Sequence, residues 1–283
     1  MKHALPNSQP LTTARLSLHL REQANSAPAI STHEHLRFQL DHALARDAVH
    51  AALDVLLLER GLHARGLTPL TLRSAARDRK EYLRRPDLGR TLSPASIEAL
   101  ATHQNSVILS GAPELVEGAQ SKDPEGVCPS NTDQPISPED TPILFILADG
   151  LSAFALERHA LPLLDAALPL IPNPCALIPL AQNARVALAD HIGQLLSAQL
   201  TVLFIGERPG LSSPDSLGVY LTWHPRPGRT DAERNCISNI RGSEGLSYAE
   251  AAHRIAHYIA EAQRLQTTGI ALKDPVVRAI LGP

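Results

Sequence analysis

An α/β fold is predicted, with a Rossmann-like, mostly parallel sheet domain preceded by a small helical domain. Three observations predict it. Residues 143–147 (ILFIL), 202–205 (VLFI) and 219–223 (VYLTW) are short continuous apolar runs bounded by turn-forming residues, the pattern of strands buried on both faces. Stretches with helical spacing separate these runs, and strands alternating with helices favour parallel pairing through crossovers. Before the first run, Leu36, Leu40, Ala43, Leu44 and Ala48 recur at helical spacing among good helix formers.

Taken in order, residues 1–30 are rich in Pro, Ser, Thr and Gln and are expected to form a flexible arm. Within it, residues 11–21 are able to fold as a short amphipathic helix on a partner. Residues 31–110 are expected to be the helical domain. A second helix covers residues 53–62, an irregular stretch follows at 79–90 where Pro86 and Gly89 interrupt any helix, and a third helix starts at Ser93-Pro94. Residues 111–140 are dominated by Pro, Gly, Ser, Asp and Glu. Burying them would not offset the entropy of ordering them, so a disordered surface insertion is expected.

Residues 141–283 are expected to hold the sheet. The run at 143–147 leads through Asp149-Gly150 into a helix near Ser152, which Pro162 should divide into two pieces because an interior proline costs about 3 kcal/mol. Residues 176–178 form a further strand candidate, and Val186 opens a helix that runs to Leu196. The last helix begins at Ser247 with a capping box to Glu250, and its apolar stripe uses Ala252, Ile255, Ile259 and Ala262.

At 283 residues the chain is long enough for a sizeable core in one or two domains. Its formal net charge of -3 argues against nucleic acid as a partner, because counterion-release binding needs a concentrated basic face. No apolar run approaches the roughly 20 residues of a membrane span, so no membrane partner is expected. The N-terminus lacks the apolar core of a secretory signal. Three widely spaced cysteines, Cys128, Cys175 and Cys236, fit free thiols in a reducing compartment.

The sharpest chemical feature is Glu207-Arg208, just beyond the run at 202–205. An ordinary loop ion pair is one reading. The other is a ligand contact, since ligands of open α/β sheets bind beyond the carboxyl ends of strands. An ionised carboxylate there accepts hydrogen bonds from amide N–H groups. Cys236 is a small hydrophobe or a strand-end thiol, and nothing in the sequence brings a base such as His224 to it. His253 and His257 share a helix face but lack the Glu of HExxH, and His33 and His35 are an equally weak metal signal, so no metal site is expected.

The stretch IGERPGLSSPDSLGVYLTWHPRPGRTDAERNCISNI at 205–240 closely resembles the small (light) subunit of ethanolamine ammonia-lyase, a radical lyase dependent on adenosylcobalamin. The resemblance extends to LRFQLDHALARDAVH at 36–50, YLRRPDLGR at 82–90 and LADGLSA at 147–153. It implies conversion of ethanolamine to acetaldehyde and ammonia by a complex with a large subunit, whose barrel holds the substrate pocket and the reacting residues. Cobalamin then lies between the two chains, and its contacts on this one fall on Val186, Glu207 and Cys236. No catalytic acid, base or nucleophile is expected here. Asp190-His191-Ile-Gly193 does not match the Asp-x-His-x-x-Gly pattern that supplies a histidine to cobalt, in keeping with a cofactor that retains its own base. A bacterial microcompartment or the cytoplasm is the implied location. Two other classes remain open at this level: a stand-alone Rossmann-like enzyme using a nucleotide, and a non-catalytic assembly protein. The absence of GxGxxG and P-loop fingerprints weighs against the former.

Overall fold

The computed structural model describes residues 31–110, 143–172, 174–242 and 244–273, with the side chains of 104–110 excepted. The expected N-terminal arm at 1–30 and the insertion at 111–140 lie outside the described residues. The chain divides into two units, residues 1–42 and 43–283. In the first, helix α1 (Thr32–His50) begins beside Ser31, whose backbone N–H and hydroxyl donate to Glu34 while the Glu34 N–H donates to the Ser31 hydroxyl. Of the apolar stripe legible in the sequence, Leu36, Leu40 and Leu44 are exposed and Ala48, near the helix end, is buried.

The second unit holds a six-stranded sheet in the order β1-β3-β2-β4-β5-β6. The strands are β1 (Thr68–Arg73), β2 (Ile143–Ala148), β3 (Leu177–Gln182), β4 (Leu200–Gly206), β5 (Leu217–Trp223) and β6 (Arg234–Ile240). β1, β3, β2 and β4 are mutually parallel, whereas β5 and β6 pair antiparallel. The architecture is therefore mixed α/β with a mostly parallel sheet. β2 and β4 are buried at every position, as their uninterrupted apolar runs require.

Residues 31–110 are not purely helical, and this corrects the expected helical domain. β1 arises within them and joins the sheet edge beside β3, where Pro69 is tolerated because an edge strand leaves some N–H groups unpaired. Around β1 lie α2 (Val55–His63), capped by the Asp54 carboxylate, the short α3 (Arg79–Arg84), capped by Asp78, and α4 (Pro94–Ser110). The stretch expected to be irregular thus starts with a short helix, and a 3-10 turn at Leu88–Arg90 follows Pro86. α2 is amphipathic: Leu58 and Leu62 face the core while Leu56 and Leu57 are exposed.

Helix α5 (Ala153–Ala167) runs unbroken through Pro162, against the expected division. Eight of its residues are buried, and that packing outweighs one missing hydrogen bond. α6 (Leu188–Leu195) starts two residues later than expected, leaving Val186 in the turn before it. α7 (Tyr248–Leu265) is capped by the Ser247 hydroxyl, which accepts from the Glu250 N–H, and it buries the predicted stripe. α2, α5 and α7 contribute to one apolar core, α4 and α6 to a second, so the sheet is covered on both faces. Among the described residues no helix is long and apolar enough to cross a membrane.

The chain runs from β2 to β3 on one side and then to β4 on the other. The direction of winding therefore reverses beside β2, and a crevice opens beyond the carboxyl ends of β2 and β4. Gly150 follows β2 with φ +55°, and a Cβ there would lie 2.1 Å from the carbonyl oxygen of Gly206 at the end of β4. The Leu151 N–H donates to that same carbonyl at 2.9 Å. The two loops that frame the crevice thus touch backbone to backbone, which a side chain would prevent.

Asp215 anchors the loop between β4 and β5. It accepts from Arg158 at 2.8 Å and Arg241 at 3.1 Å, and its carboxylate lies 3.5 Å from His159 Nε2. The other His159 ring nitrogen meets the Tyr248 hydroxyl at 2.8 Å. Burial alone would raise the Asp215 carboxyl, but the two arginines hold it below its ordinary value. Burial pushes the His159 imidazole down, more than Asp215 raises it. Both depressions act in one direction, because the unfolded chain takes up protons before the folded one does. Stability is then lost as pH falls, first through the imidazole range below about 6.5 and later through the carboxylate range below about 3.9. Replacing His159 with Gln should flatten the decline of the urea midpoint between about pH 6.5 and pH 5. An unaltered slope would show that this imidazole does not contribute.

Candidate functional site

At the end of β2 the Asp149 carboxylate is 4% exposed. It accepts from the backbone N–H groups of Asn183 and Ala184, at 2.9 and 3.0 Å, and from Arg79 at 3.2 Å. Asp149 thereby joins β2 to the loop after β3 and to α3. Burial raises its carboxyl while Arg79 and the backbone donors oppose that rise. Asn183 itself has φ 54°, a left-handed conformation that asparagine tolerates better than most residues.

Tyr82 completes the fastening from below. Its buried hydroxyl sits 2.9 Å from the Gly150 carbonyl and 3.0 Å from that of Ala184, its donor proton shared between them. The guanidinium groups of Arg79 and Arg185 lie against its ring, 4.9 and 4.5 Å from the centroid. Gly89 permits this contact, since a Cβ would come within 2.9 Å of both the ring and the Arg185 chain, and its carbonyl accepts from the Arg185 N–H at 2.8 Å. The segment YLRRPDLGR is thus the floor on which the loop carrying Arg185 and Val186 rests.

Above this floor lies a cleft of about 270 Å³, lined among others by Leu151, Val186, Ile205, Glu207, Arg208 and Tyr220. It occupies the crevice beyond β2 and β4. Glu207 is held there by three contacts. Its backbone N–H donates to the Ser216 carbonyl at 2.9 Å, and its Oε2 accepts from the Ser216 hydroxyl and, at 3.2 Å, from the Asn239 N–H. Asn239 is left-handed too, at φ 60°. Among the described residues Oε1 accepts no hydrogen bond, and no ion pair joins Glu207 to Arg208. The loop ion pair envisaged from sequence therefore does not form.

Cys236 lies on the edge strand β6, in register with Tyr220 of β5. It does not line the cleft, but its neighbour Tyr220 does. The residue is exposed, with Sγ 3.3 Å from the Ser238 hydroxyl. Desolvation of the sulfur pushes the thiol above its ordinary value, opposite to the shift of an activated nucleophile. Val186 and Glu207 thus share one cleft, and Cys236 lies on the strand next to Tyr220, outside its lining.

A second cleft, of about 760 Å³, adjoins the first through Arg185 and Val186. Arg90, His191, Arg229 and Arg234 also line it. Asp190, directly before His191, is wholly buried and pairs with Arg234. Among the described residues no three His, Cys, Asp or Glu side chains gather as metal ligands.

A family model for the ethanolamine ammonia-lyase light chain (EutC) matches residues 3–111 and 130–273. The chain belongs to that family. The ethanolamine ammonia-lyase small subunit of Azotobacter vinelandii is 46% identical over 267 residues, covering 93% of this chain and 86% of that protein. The small subunit of Xanthomonas campestris pv. campestris is 43% identical over 275 residues, covering 96% and 88%. That of Pseudomonas putida is 45% identical over 267 residues, covering 93% and 85%. The family match breaks between residues 111 and 130, within the stretch expected to be an insertion.

For a light chain of this family, sequence reasoning missed Arg79, Tyr82, Asp149 and Arg185 as parts of the site. YLRRPDLGR and LADGLSA were conspicuous as segments, yet no spacing rule joins them. Replacing Asp149 with Asn leaves Arg79 without its carboxylate and turns an amide N–H₂ toward backbone donors. Denaturant unfolding should show a loss of about 3 kcal/mol or more, as for a broken buried ion pair. A loss under about 1 kcal/mol would contradict the fastening role.

Proposed function

We propose that this chain serves as the small subunit of an adenosylcobalamin-dependent ethanolamine ammonia-lyase and forms one half of the corrinoid cleft, with Val186, Glu207 and Cys236 as its contacts. A large subunit supplies the other half and the pocket in which ethanolamine yields acetaldehyde and ammonia. When bound, adenosylcobalamin supplies homolysis of a cobalt–carbon bond, the source of the radical chemistry. The work of this chain is to bind, orient and shield.

The observation that carries the reading is the Glu207 carboxylate, fixed at the crevice where an open α/β sheet receives its ligand. The donor set suits a corrinoid. The macrocycle carries amide arms whose N–H groups need acceptors, and Oε1 is an acceptor with no hydrogen bond among the described residues. Leu151, Val186 and Ile205 offer apolar surface to the ring. A cleft of about 270 Å³ is far too small to enclose a corrinoid, which supports a second chain as its cover. The raised Cys236 thiol suits a neutral contact better than a nucleophile.

In the complex co-purified with its large subunit, Glu207→Gln keeps the shape and the acceptor toward Ser216 but removes the charge. Its affinity for cyanocobalamin, read by spectral titration, should fall by about 10-fold or more, the size of one charge-assisted hydrogen bond. The circular dichroism of the small subunit should not change. Unaltered affinity would refute the assigned role of Glu207.

A further inference from the structure

Two segments hold the Glu207 carboxylate, and an ion pair joins those segments to each other. Ser216 and Asn239 donate to it, and their near neighbours Asp215 and Arg241 pair at 3.1 Å. Ser216 directly follows Asp215, and Arg241 lies two residues beyond Asn239. The pair is almost closed to solvent, its side chains 13% and 10% exposed. His159 packs against it from α5. The imidazole Nε2 is buried 3.5 Å from Asp215 Oδ2 without a hydrogen bond, and Nδ1 meets the Tyr248 hydroxyl at 2.8 Å. Arg158 takes the same Oδ2 at 2.8 Å. Arg241 has a second carboxylate too, the exposed Glu244 at 2.7 Å. The charged and titratable groups that face the imidazole are therefore Asp215, Arg158, Arg241 and Tyr248.

A neutral His159 leaves Asp215 to its two arginines. A proton on the ring places a third cation at one enclosed carboxylate, where like charges repel more strongly than in water. Arg241 is the member that yields, because Glu244 holds it toward the surface. We propose that the Asp215–Arg241 pair is a clamp that positions Glu207 and that a proton on His159 opens it, so the cleft offers a corrinoid its acceptor only while this imidazole is neutral. His159 is a positioning residue that acts through Asp215 and touches no ligand itself. Burial keeps its imidazole neutral to a lower pH than is usual for the group. Corrinoid affinity is therefore full at neutral pH and falls as pH drops through the imidazole range below about 6.5.

The clamp rests on the corrinoid reading, and the two fail separately in one experiment. Cyanocobalamin is titrated spectrally into the complex co-purified with its large subunit, at about pH 7.5 and about pH 5. Wild-type affinity should be about 3-fold or more weaker at the lower pH, with a limit of about 10-fold per pH unit for one proton. His159→Gln, neutral at both values, should lose most of that decline. Asp190, raised to about 6 by burial, and His224 titrate over an overlapping range but stay in both proteins, so their difference isolates His159. In a Glu207→Gln background the His159 substitution should make no further difference, because the effect runs through that carboxylate. Near-ultraviolet circular dichroism should be the same at the two pH values. An equal decline in wild type and His159→Gln would overturn the proposal, as would a His159 effect that persists without the Glu207 charge. Ellipticity lost in step with affinity would overturn it too, since the decline would then be unfolding. If the wild-type complex took up no cyanocobalamin at the higher pH, the corrinoid reading itself would fall.

Discussion

The buried carboxylate of Asp149 is the fastening on which the site depends. Taking a charge out of water is expensive unless its oxygens find donors, and here two backbone N–H groups and Arg79 provide them. That requirement brings the end of β2, the loop after β3 and the start of α3 to one point. Tyr82 then braces the same three segments through the carbonyls of Gly150 and Ala184. The position of the Val186 turn follows from these bonds, since its own side chain has no polar anchor.

Glu207 is set by a second, separate chain of contacts. Arg158 and Arg241 hold Asp215, the neighbouring Ser216 holds the Glu207 carboxylate, and the left-handed Asn239 closes the ring with its N–H. The two networks meet where Gly150 and Gly206 touch, so the crevice is framed from both sides by groups already paired within the fold. Among the described residues Oε1 of Glu207 accepts no hydrogen bond, and the residue lines the smaller cleft.

Much of the sheet was legible in the sequence because strands buried on both faces are continuous apolar runs. β2, β4 and β5 announce themselves in this way, and β3 does so in part. The edge strands β1 and β6 were not legible: TPLTLR and RNCISNI mix polar and apolar residues because one edge and parts of both faces are open. Pro162 misled because local propensity was weighed without the buried face of α5. Glu207 was found from its place after a strand together with the family resemblance, and Val186 and Cys236 from the resemblance alone. The Arg79–Asp149 pair and the Tyr82–Ala184 bond join residues 70 and 102 positions apart, and no periodicity carries information over such a span.

The central claim is that the crevice beyond β2 and β4 accepts a corrinoid when a large subunit covers it. Hydrogen–deuterium exchange of the co-purified complex, with and without cyanocobalamin, tests it most directly. Protection should appear in peptides spanning 82–90, 183–187, 205–208 and 234–239, and exchange along α7 should stay the same. Protection confined to α7, or none in those four segments, would contradict the account.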